Sequence, residues 1–439
     1  MKKIFFLLGI VASTTVMAQT NLPEWSADKM IYEVNVRQYT PEGTFDAFSE
    51  HLPRLHDMGV GILWLMPINP IGVENRKGSL GSYYAVKDYK AVNPEYGNIK
   101  DFKKLVDAIH KQGMYVIVDW VANHTAWDNV WMKEHPDFYT RGKDGNVVPP
   151  VEDWADVADL NYDNMELRKA MINAMQYWVE EADIDGFRCD VALMVPDDFW
   201  KDATTQLRSI KPGLFFLAEA EGPNFIEDGF NMVYGWNRHH AMNMIAQGKA
   251  KPAMLDSLVR SDIAKYPADG LLMNFTSNHD ENTWNGTEFE RMGDANKCMA
   301  VAAATLPGML LEYTGQEVAM HKRLRFFDKD TVSWVDDKNY TQFWTGLIRM
   351  KENNPALWNG TAGGDYTRID AGNDNIYCFT RIRGDSKVLV IMNMSAATHA
   401  MELSGYKGKW RIAYTGEKAK IKKTLKAELG PWEYRVYAQ

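Results

Sequence analysis

Residues 185–194 read DGFRCDVALM, and they place an arginine and an aspartate, Arg188 and Asp190, inside an otherwise apolar run. Side chains alternate between the two faces of a β-strand, so these two charges share one face while Phe187 and Cys189 share the other. Burying two opposite charges costs free energy unless they are paired and used. Such a pair is either a structural ion pair or part of a functional site, and the rest of the sequence must distinguish these alternatives.

The stretch around Arg188 is one of eight apolar runs that alternate with amphipathic helical segments from about residue 29 to residue 320. The runs are KMIYEVNVRQY, VGILWLMPI, MYVIVDWVANH, GFRCDVALM, GLFFLAEAE, FNMVYGW, GLLMNFTSNHD and GMLLEYTGQEV. Strands of this kind, separated by helices, predict an α/β fold with a parallel (β/α)8 TIM barrel over residues 24–355. A polar stretch, 125–161, forms a short excursion after the third strand. An open doubly wound sheet usually carries a glycine-rich phosphate loop after its first strand, and this sequence has none.

The pattern changes after Trp358. Five short segments then alternate between apolar and polar residues, with turn residues between them: NIYCFTRIRG, KVLVIMNMS, THAMELSG, KWRIAYTG and GPWEYRVYA. This pattern predicts a C-terminal antiparallel β-sandwich over residues 359–439.

The first residues, MKKIFFLLGIVASTTVMAQT, combine two lysines, an apolar run and a Val-Met-Ala cleavage site. They predict a signal peptide over residues 1–18 and an exported protein, either periplasmic or extracellular. The apolar run is too short to span a bilayer comfortably, and no later stretch is long and apolar enough, so we expect no membrane insertion. Three cysteines do not make a disulfide framework.

The formal net charge is −9 and the sequence contains no long basic run, which argues against nucleic acid as a partner. The 15 tryptophans and 20 tyrosines suit a neutral polar ligand with flat apolar faces, although aromatic residues also fill cores. We expect a monomer.

Polar residues collect at the carboxyl ends of the predicted strands, where a TIM barrel carries its chemistry. They are Tyr83, Tyr84, Asp119, Asn123, His124, Arg188, Asp190, Glu219, Glu221, His279 and Asp280. Any one of them could be a capped or solvated loop residue. Carboxylates, two histidines and an arginine that converge on one rim predict an active site.

Four of these segments resemble the signatures of the α-amylase family of glycoside hydrolases, family 13. DWVANH resembles its first signature, GFRCD its G-x-R-x-D signature, FLAEA its acid/base strand and FTSNHD its N-H-D signature. VADLNYDN and SYYAVKDYKAVNPEYG resemble two further segments. Each signature alone is weak, but the four together, in order and at the right spacing, are specific. The resemblance extends from about residue 29 to 439 and points to amylase-like or neopullulanase-like enzymes.

The resemblance implies a retaining hydrolase that cleaves α-1,4-glucosidic bonds of starch-like α-glucans or maltooligosaccharides through a covalent glucosyl–aspartate intermediate. Asp190 matches the nucleophile, Glu219 the acid/base and Asp280 the third carboxylate. Arg188 would hold Asp190 ionised and aimed. The matched substrate-binding positions are Tyr84, His124, Arg188 and His279.

Glu219 and Glu221 share a strand face, so alternation cannot choose the acid between them. Glu219 directly follows five apolar residues, whereas Glu221 precedes the turn signal Gly222-Pro223 and should lie further out. A proton donor at neutral pH needs the less solvated position, because desolvation disfavours its charged form. We therefore expect Glu219 to be the acid.

Many members of the family hold a calcium ion near the excursion, with the asparagine of the first signature and the aspartate of D-L-N among its ligands. Those positions are Asn123 and Asp159 here, which predicts a structural calcium ion. Met194 stands where the family often has a nearby histidine. No organic cofactor is expected.

Three other functions are compatible with parts of the pattern. A transglycosylase or exo-acting α-glucosidase would use the same residues. The residues at the strand ends do not show whether the acceptor is water or a sugar. They also do not distinguish α-1,4 from α-1,6 bonds, or endo from exo action. A non-catalytic glucan-binding barrel would have lost catalytic carboxylates, which are all present. A metal hydrolase built on His124 and His279 would need a metal-binding spacing that is absent.

Overall fold

The computed structural model describes residues 22–336 and 339–439, so the predicted signal peptide lies outside the described residues. In chain order, the β-strands are β1 (Ile31–Val34), β2 (Ile62–Leu65), β3 (Tyr115–Trp120), β4 (His124–Ala126), β5 (Val157–Asp159), β6 (Gly186–Cys189), β7 (Phe215–Ala218), β8 (Met232–Tyr234), β9 (Leu271–Asn274), β10 (Met309–Tyr313), β11 (Asp365–Ile369), β12 (Ile376–Arg383), β13 (Ser386–Asn393), β14 (His399–Ser404), β15 (Gly408–Ile412), β16 (Lys418–Ile421), β17 (Thr424–Leu429) and β18 (Tyr434–Ala438).

The α-helices follow the barrel strands. In chain order, they are α1 (Val36–Tyr39), α2 (Phe45–Ser49), α3 (Leu52–Met58), α4 (Ile99–Lys111), α5 (Val130–Glu134), α6 (Met165–Ala182), α7 (Asp197–Ile210), α8 (Pro223–Glu227), α9 (Trp236–Ala246), α10 (Pro252–Lys265), α11 (Glu288–Met292), α12 (Asn296–Thr305) and α13 (Tyr340–Glu352). Among these helices, none is both long and apolar enough to cross a bilayer.

Eight parallel strands close into a barrel in the order β1-β10-β9-β8-β7-β6-β3-β2. The predicted (β/α)8 barrel is therefore confirmed. Residues at alternate strand positions form an apolar core inside the barrel: Ile31, Ile62, Trp64, Ile117, Phe215, Leu217, Met232, Tyr234, Leu271, Met273, Phe275, Met309 and Leu311. The same alternation turns Glu33, Asp119 and Arg188 into the barrel. Their side chains lie nearer to the carboxyl ends of the strands than Ile31 and Ile117 do.

Local sequence explains how β6 and its neighbours come together. A Cβ atom on Gly186 would lie 1.8 Å from the carbonyl oxygen of Phe215, so only glycine lets β6 approach β7 so closely. Phe187 and Cys189 are fully buried on the face toward the helices. The pairing of β3 with β6 sets Asp119 directly beside Arg188.

The excursion after β3 contains a two-stranded antiparallel ribbon. Strands β4 and β5 pair with His124 opposite Asp159. Lys77, from the loop after β2, forms a 2.8 Å ion pair with Asp156 of the excursion. This contact joins the excursion to the barrel loops beside the carboxyl ends of the strands.

The C-terminal part forms a six-stranded antiparallel sheet, β11-β12-β13-β18-β15-β16, and a two-stranded sheet, β14-β17. Their facing sides share an apolar core that includes Leu389, Ile391, Leu403 and Trp410. The C-terminal antiparallel β-structure is confirmed, but the five predicted segments omit β11, β16 and β17.

Candidate active site

A cleft of about 620 Å³ opens at the carboxyl ends of the barrel strands. Six of the predicted site residues line it: Tyr84, His124, Asp190, Glu219, His279 and Asp280. Arg188 is fully buried beneath them. Other lining residues come from the excursion and from neighbouring loops: Lys77, Ser82, Asp153, Trp154, Asp156, Val157, Val191, Trp284, Phe326 and Phe327.

Arg188 is the centre of a charge network below the cleft. Its Nη1 donates to Oδ1 of Asp119 at 2.8 Å and to Oδ1 of Asp190 at 2.9 Å. Its Nη2 lies 2.7 Å from Oε2 of Glu219, an ion-pair contact without the alignment of a hydrogen bond. Its Nε donates to the hydroxyl of Tyr234 at 3.2 Å. The ion pair between Arg188 and Asp190 is thus one of three contacts that this guanidinium makes with carboxyl groups.

Glu219 is oriented by the main chain that follows β6. The N–H of Val191 donates to Oε2 of Glu219 at 2.8 Å. Val191 has φ 33° and ψ 47°, a left-handed conformation that is strained for a β-branched residue and often marks a functional site. Glu221 is exposed, and it accepts hydrogen bonds from the main-chain and side-chain nitrogens of Asn237 at 2.9 and 2.7 Å. Of the two glutamates, Glu219 is the one that faces the cleft.

The carboxyl groups of Asp190 and Glu219 influence each other's ionisation. Burial raises the pKa of Asp190 well above its ordinary value; Arg188 opposes this effect and Glu219 adds to it. Burial also raises the pKa of Glu219, where Arg188 opposes and Asp280 adds to the effect. Nearby carboxyl groups disfavour each other's ionisation, so the first proton is lost more readily than the second. The pair can therefore supply one carboxylate and one carboxylic acid.

His279 is surrounded by hydrogen-bond acceptors. Its Nδ1 lies 2.5 Å from Oε1 of Glu33, and its Nε2 lies 3.2 Å from Oδ2 of Asp280 and 2.8 Å from the hydroxyl of Tyr84. Burial alone would lower the pKa of His279, but Asp280 and Glu33 raise it well above its ordinary value. The imidazole is therefore protonated at neutral pH.

Asp280 stays ionised beside this cation. Burial would raise its pKa, but His279 and Arg188 hold the pKa below its ordinary value. The indole Nε1 of Trp284 also donates to Oδ1 of Asp280 at 3.2 Å. Asp280 thus presents a fixed carboxylate at the cleft.

His124 differs from His279 in charge. Burial lowers the pKa of His124 to about 4, so its imidazole is neutral at neutral pH. The side-chain amide of Asn123 lies 3.2 Å from Nδ1 of His124. An amide N–H that donates to Nδ1 leaves the ring proton on Nε2, where it can serve a ligand hydroxyl.

Aromatic rings form one wall of the cleft. The ring of Tyr84 stacks on Phe326 with centroids 6.1 Å apart, and the ring of Trp284 lies 5.3 Å from the same phenylalanine. Flat apolar faces of this kind, next to polar groups, suit a ligand with apolar faces and many hydroxyl groups.

Comparison with known proteins identifies the family. A model of the α-amylase catalytic domain matches residues 17–147 and 151–372, and a model of the maltogenic amylase C-terminal domain matches residues 366–436. This chain belongs to the α-amylase family. The predicted resemblance to family 13 is confirmed, and the chain is an α-amylase-type glycoside hydrolase.

Several α-amylases are similar to this chain over most of its length. The crystal structure of an α-amylase from Lactobacillus plantarum is 31% identical and superposes with a TM-score of 0.85 over 96% of this chain and 100% of that chain. A maltogenic α-amylase, AmyB, from Thermotoga neapolitana is 29% identical with a TM-score of 0.85 over 94% and 98% of the two chains. Alpha-amylase MalA of Haloarcula japonica is 27% identical over 393 residues, which are 85% of this chain but 56% of that protein. The chain thus spans little more than half the length of that relative.

The family's calcium position lies at Asn123 and Asp159 here. The main-chain oxygen of Asn123 accepts the N–H of Leu160 at 3.2 Å, and its side-chain amide nitrogen contacts His124. Asp159 is the one carboxylate of the predicted pair, and Met194 offers no side-chain oxygen. In the part of the chain that the structure describes, no three His, Cys, Asp or Glu side chains are grouped to hold a metal ion. Ca²⁺ takes 6–8 oxygen ligands, which include amide and main-chain oxygens, so the calcium site at Asn123 and Asp159 stays a prediction.

Sequence reasoning missed several residues of the site. Glu33 carries the same signal as Arg188, since it is a charged residue in an apolar strand run, IYEV. Asp119 stands on the predicted rim, but nothing in the sequence shows that it contacts Arg188 and accepts from Tyr84 at 3.0 Å. Trp284 lies one helical turn after Asp280, and no pattern links it to the cleft.

Proposed function

We propose that this α-amylase-type enzyme cleaves α-1,4-glucosidic bonds of starch-like α-glucans or maltooligosaccharides with retention of anomeric configuration. The observation that carries the proposal is that Asp190 and Glu219 contact the two terminal nitrogens of one guanidinium, at 2.9 and 2.7 Å. This arrangement favours the short separation, about 5–5.5 Å, that a covalent retaining mechanism uses. An inverting site keeps its carboxyl groups about 6.5–9.5 Å apart to leave room for water.

The first step in this mechanism forms a covalent intermediate. The Asp190 carboxylate attacks the anomeric carbon while Glu219 gives its proton to the glycosidic oxygen, and the bond between that carbon and oxygen breaks. The released chain leaves with the proton, and the sugar is held as an ester of Asp190. Arg188 keeps both carboxyl groups in place during this exchange.

The second step returns the enzyme to its starting state. The Glu219 carboxylate takes a proton from water, the water oxygen attacks the anomeric carbon, and Asp190 leaves as a carboxylate. Two inversions at one carbon give overall retention. One water molecule is consumed for each bond cleaved.

The other predicted site residues bind the sugar in this proposal. Asp280, protonated His279 and neutral His124 face the cleft as one acceptor and two donors for ring hydroxyls, and Tyr84 stacks against the sugar ring. Contacts to hydroxyls accelerate the reaction when they strengthen as the ring flattens in the transition state.

A sugar hydroxyl in place of water would turn the same intermediate into a transglycosylation product. Chromatography of the products from starch, pullulan and cyclodextrin measures this partition and separates endo from exo action. A mixture without new, longer oligosaccharides identifies water as the acceptor.

Proton NMR of the first products tests retention. We expect the α-anomer to appear first and the β-anomer to follow only at the rate of mutarotation. Early appearance of the β-anomer would contradict the double-displacement mechanism.

Substitution of the two glutamates tests the acid/base assignment. Glu219→Ala should abolish starch cleavage but keep the first step on α-glucosyl fluoride, whose leaving group needs little protonation. Azide should then intercept the intermediate and give a β-glucosyl azide. Glu221→Ala is the matched control and should have a mild defect without azide rescue. If the azide product appears with Glu221→Ala instead, Glu219 is not the acid.

A further inference from the structure

Glu33 is a fully buried carboxylate that does not line the cleft. It lies on β1 and points into the barrel, two residues after Ile31 of the interior core. One of its oxygens contacts Nδ1 of His279 at 2.5 Å, and among the described residues nothing donates a hydrogen bond to the other. Burying a charge with a single hydrogen-bond partner costs folding free energy. The position of Glu33 is therefore a candidate for a functional role.

The hydrogen bonds around His279 assign its protons. The hydroxyl of Tyr84 has one hydrogen, which it donates to Asp119 at 3.0 Å. That hydroxyl must therefore accept from Nε2 of His279, 2.8 Å away. Nδ1 faces the carboxylate of Glu33, which also requires a donor. Burial raises the pKa of Glu33, and the contact with His279 lowers it. With Glu33 ionised, both ring nitrogens carry hydrogen and the imidazole is a cation.

We propose that Glu33 is a positioning residue of this site, which holds His279 from below as a two-armed donor whose Nε2–H lies between the hydroxyl of Tyr84 and the carboxylate of Asp280 at the cleft. The proposal rests on the proposed glycosidase function for its catalytic consequence, but not for the proton assignment. It gives Glu33 the task that carboxylates perform for other functional histidines, where the bond at one ring nitrogen fixes the proton and orientation of the other.

The charge balance of the site supports this role. Arg188 contacts three carboxyl groups directly, and it lowers the pKa of the other two, Glu33 and Asp280, less than His279 does. The titratable and charged groups that face His279 from its own loop and from the neighbouring strands are Glu33, Tyr84, Asp119, Arg188, Glu219 and Asp280. Loss of the Glu33 charge therefore leaves Asp280 as the one carboxylate in contact with the imidazole.

The variant Glu33→Gln tests the proposal without substrate. It keeps an oxygen that can accept from Nδ1, so the fold should be retained, but it removes the charge. NMR of protein labelled with ¹⁵N at histidine follows the imidazole, and a His279→Gln sample identifies the His279 signals. We expect His279 to stay protonated from pH 5 to pH 8 in the wild type and to lose its proton at a lower pH in Glu33→Gln. An identical titration in both proteins would overturn the proposal, whatever the enzyme's substrate proves to be.

The pH dependence of turnover gives the second readout. Since Glu33→Gln loses the imidazolium as pH rises, its kcat on maltooligosaccharides should approach the wild-type value near pH 5 and fall at least about tenfold below it at pH 8. Glu312→Gln is the matched control, because Glu312 is equally buried in the adjacent strand β10 but faces away from the site. It should leave the shape of the pH profile unchanged. A uniform loss across pH in Glu33→Gln would mean that Glu33 is only structural.

Discussion

A single guanidinium meets three carboxyl groups at 2.7–2.9 Å in this site, and the guanidinium itself is fully buried. Arg188 lowers the pKa of Asp119, Asp190 and Glu219 against the effect of burial. Its planar fork can reach several oxygens at once, whereas a lysine ammonium is a point charge. The arginine therefore influences the ionisation of Asp190 and Glu219 as well as their geometry.

The three contacts of Arg188 predict how Arg188→Lys changes the pH dependence of kcat/KM. The ammonium cannot reach all three carboxyl groups, so the pKa of Asp190 and that of Glu219 should both rise. Activity needs Asp190 ionised and Glu219 protonated, so both limbs of the kcat/KM profile should move to higher pH. Misplaced carboxyl groups should also lower kcat by about a hundredfold. A lower melting temperature with both limbs unmoved would show that Arg188 is a structural ion pair alone.

At the scale of residues, the sequence predicts which face of a strand a side chain occupies, but not which residues of other strands it contacts. Alternation along β6 correctly places Arg188 and Asp190 on one side of the strand, because that depends on residues two apart. The contact between Arg188 and Asp119 depends on the register between β3 and β6, which no local pattern encodes. The contact of Glu33 is still harder to predict, because its partner His279 is 246 positions away along the chain.

At the scale of elements, the barrel strands were predictable and part of the C-terminal domain was not. Barrel strands are apolar on both faces and stand out as continuous runs. The omitted strand β16 reads KAKI, with two lysines, and β17 reads TLKAEL; both are exposed at alternate positions. An edge strand such as β16 gains from lysines that block pairing with other chains, and this composition hides it from a hydrophobic pattern.

The excursion carries the calcium prediction, for which Asn123 and Asp159 are the named donors. Asn123 and Asp159 supply few of the oxygens that Ca²⁺ needs, so the ribbon of β4 and β5 should be stable without the ion. We expect the melting temperature measured after dialysis against a chelator to equal that measured with added calcium. A chelator-dependent fall of several degrees, with calcium found by elemental analysis, would restore the calcium site.

At the scale of the whole molecule, one hydrophobic core joins the barrel to the C-terminal sheet. Residues of the barrel helices and of the sheet, such as Trp344 and Val390, belong to the same buried cluster. Arg381 of β12 adds a polar contact, because it donates to the main-chain oxygen of Thr305 at 3.1 Å. We therefore expect the two parts to unfold together, so that a change in the barrel alters the stability of the entire chain.

Glu312 should make that stability depend on pH. It is fully buried on β10, and in the described chain neither of its carboxyl oxygens accepts a hydrogen bond. Burial raises its pKa well above the ordinary value, and the nearby Glu317 adds to this effect while Arg54 opposes it. Between the unfolded and folded pKa values the native state holds more protons than the unfolded state. Stability therefore falls as pH rises through that window, by up to about 1.4 kcal/mol per pH unit.

The isosteric variant Glu312→Gln removes this titration. Its melting temperature should be close to that of the wild type near pH 4, where Glu312 is protonated in the folded state and mostly protonated in the unfolded state. The variant should become progressively more stable than the wild type as pH rises to 8. Only the wild type must take up a proton, or bury a charge, when it folds. Glu152→Gln, at an exposed glutamate, is the control and should show no such trend. A constant difference between Glu312→Gln and wild type across pH would mean that Glu312 has an ordinary pKa in the folded chain.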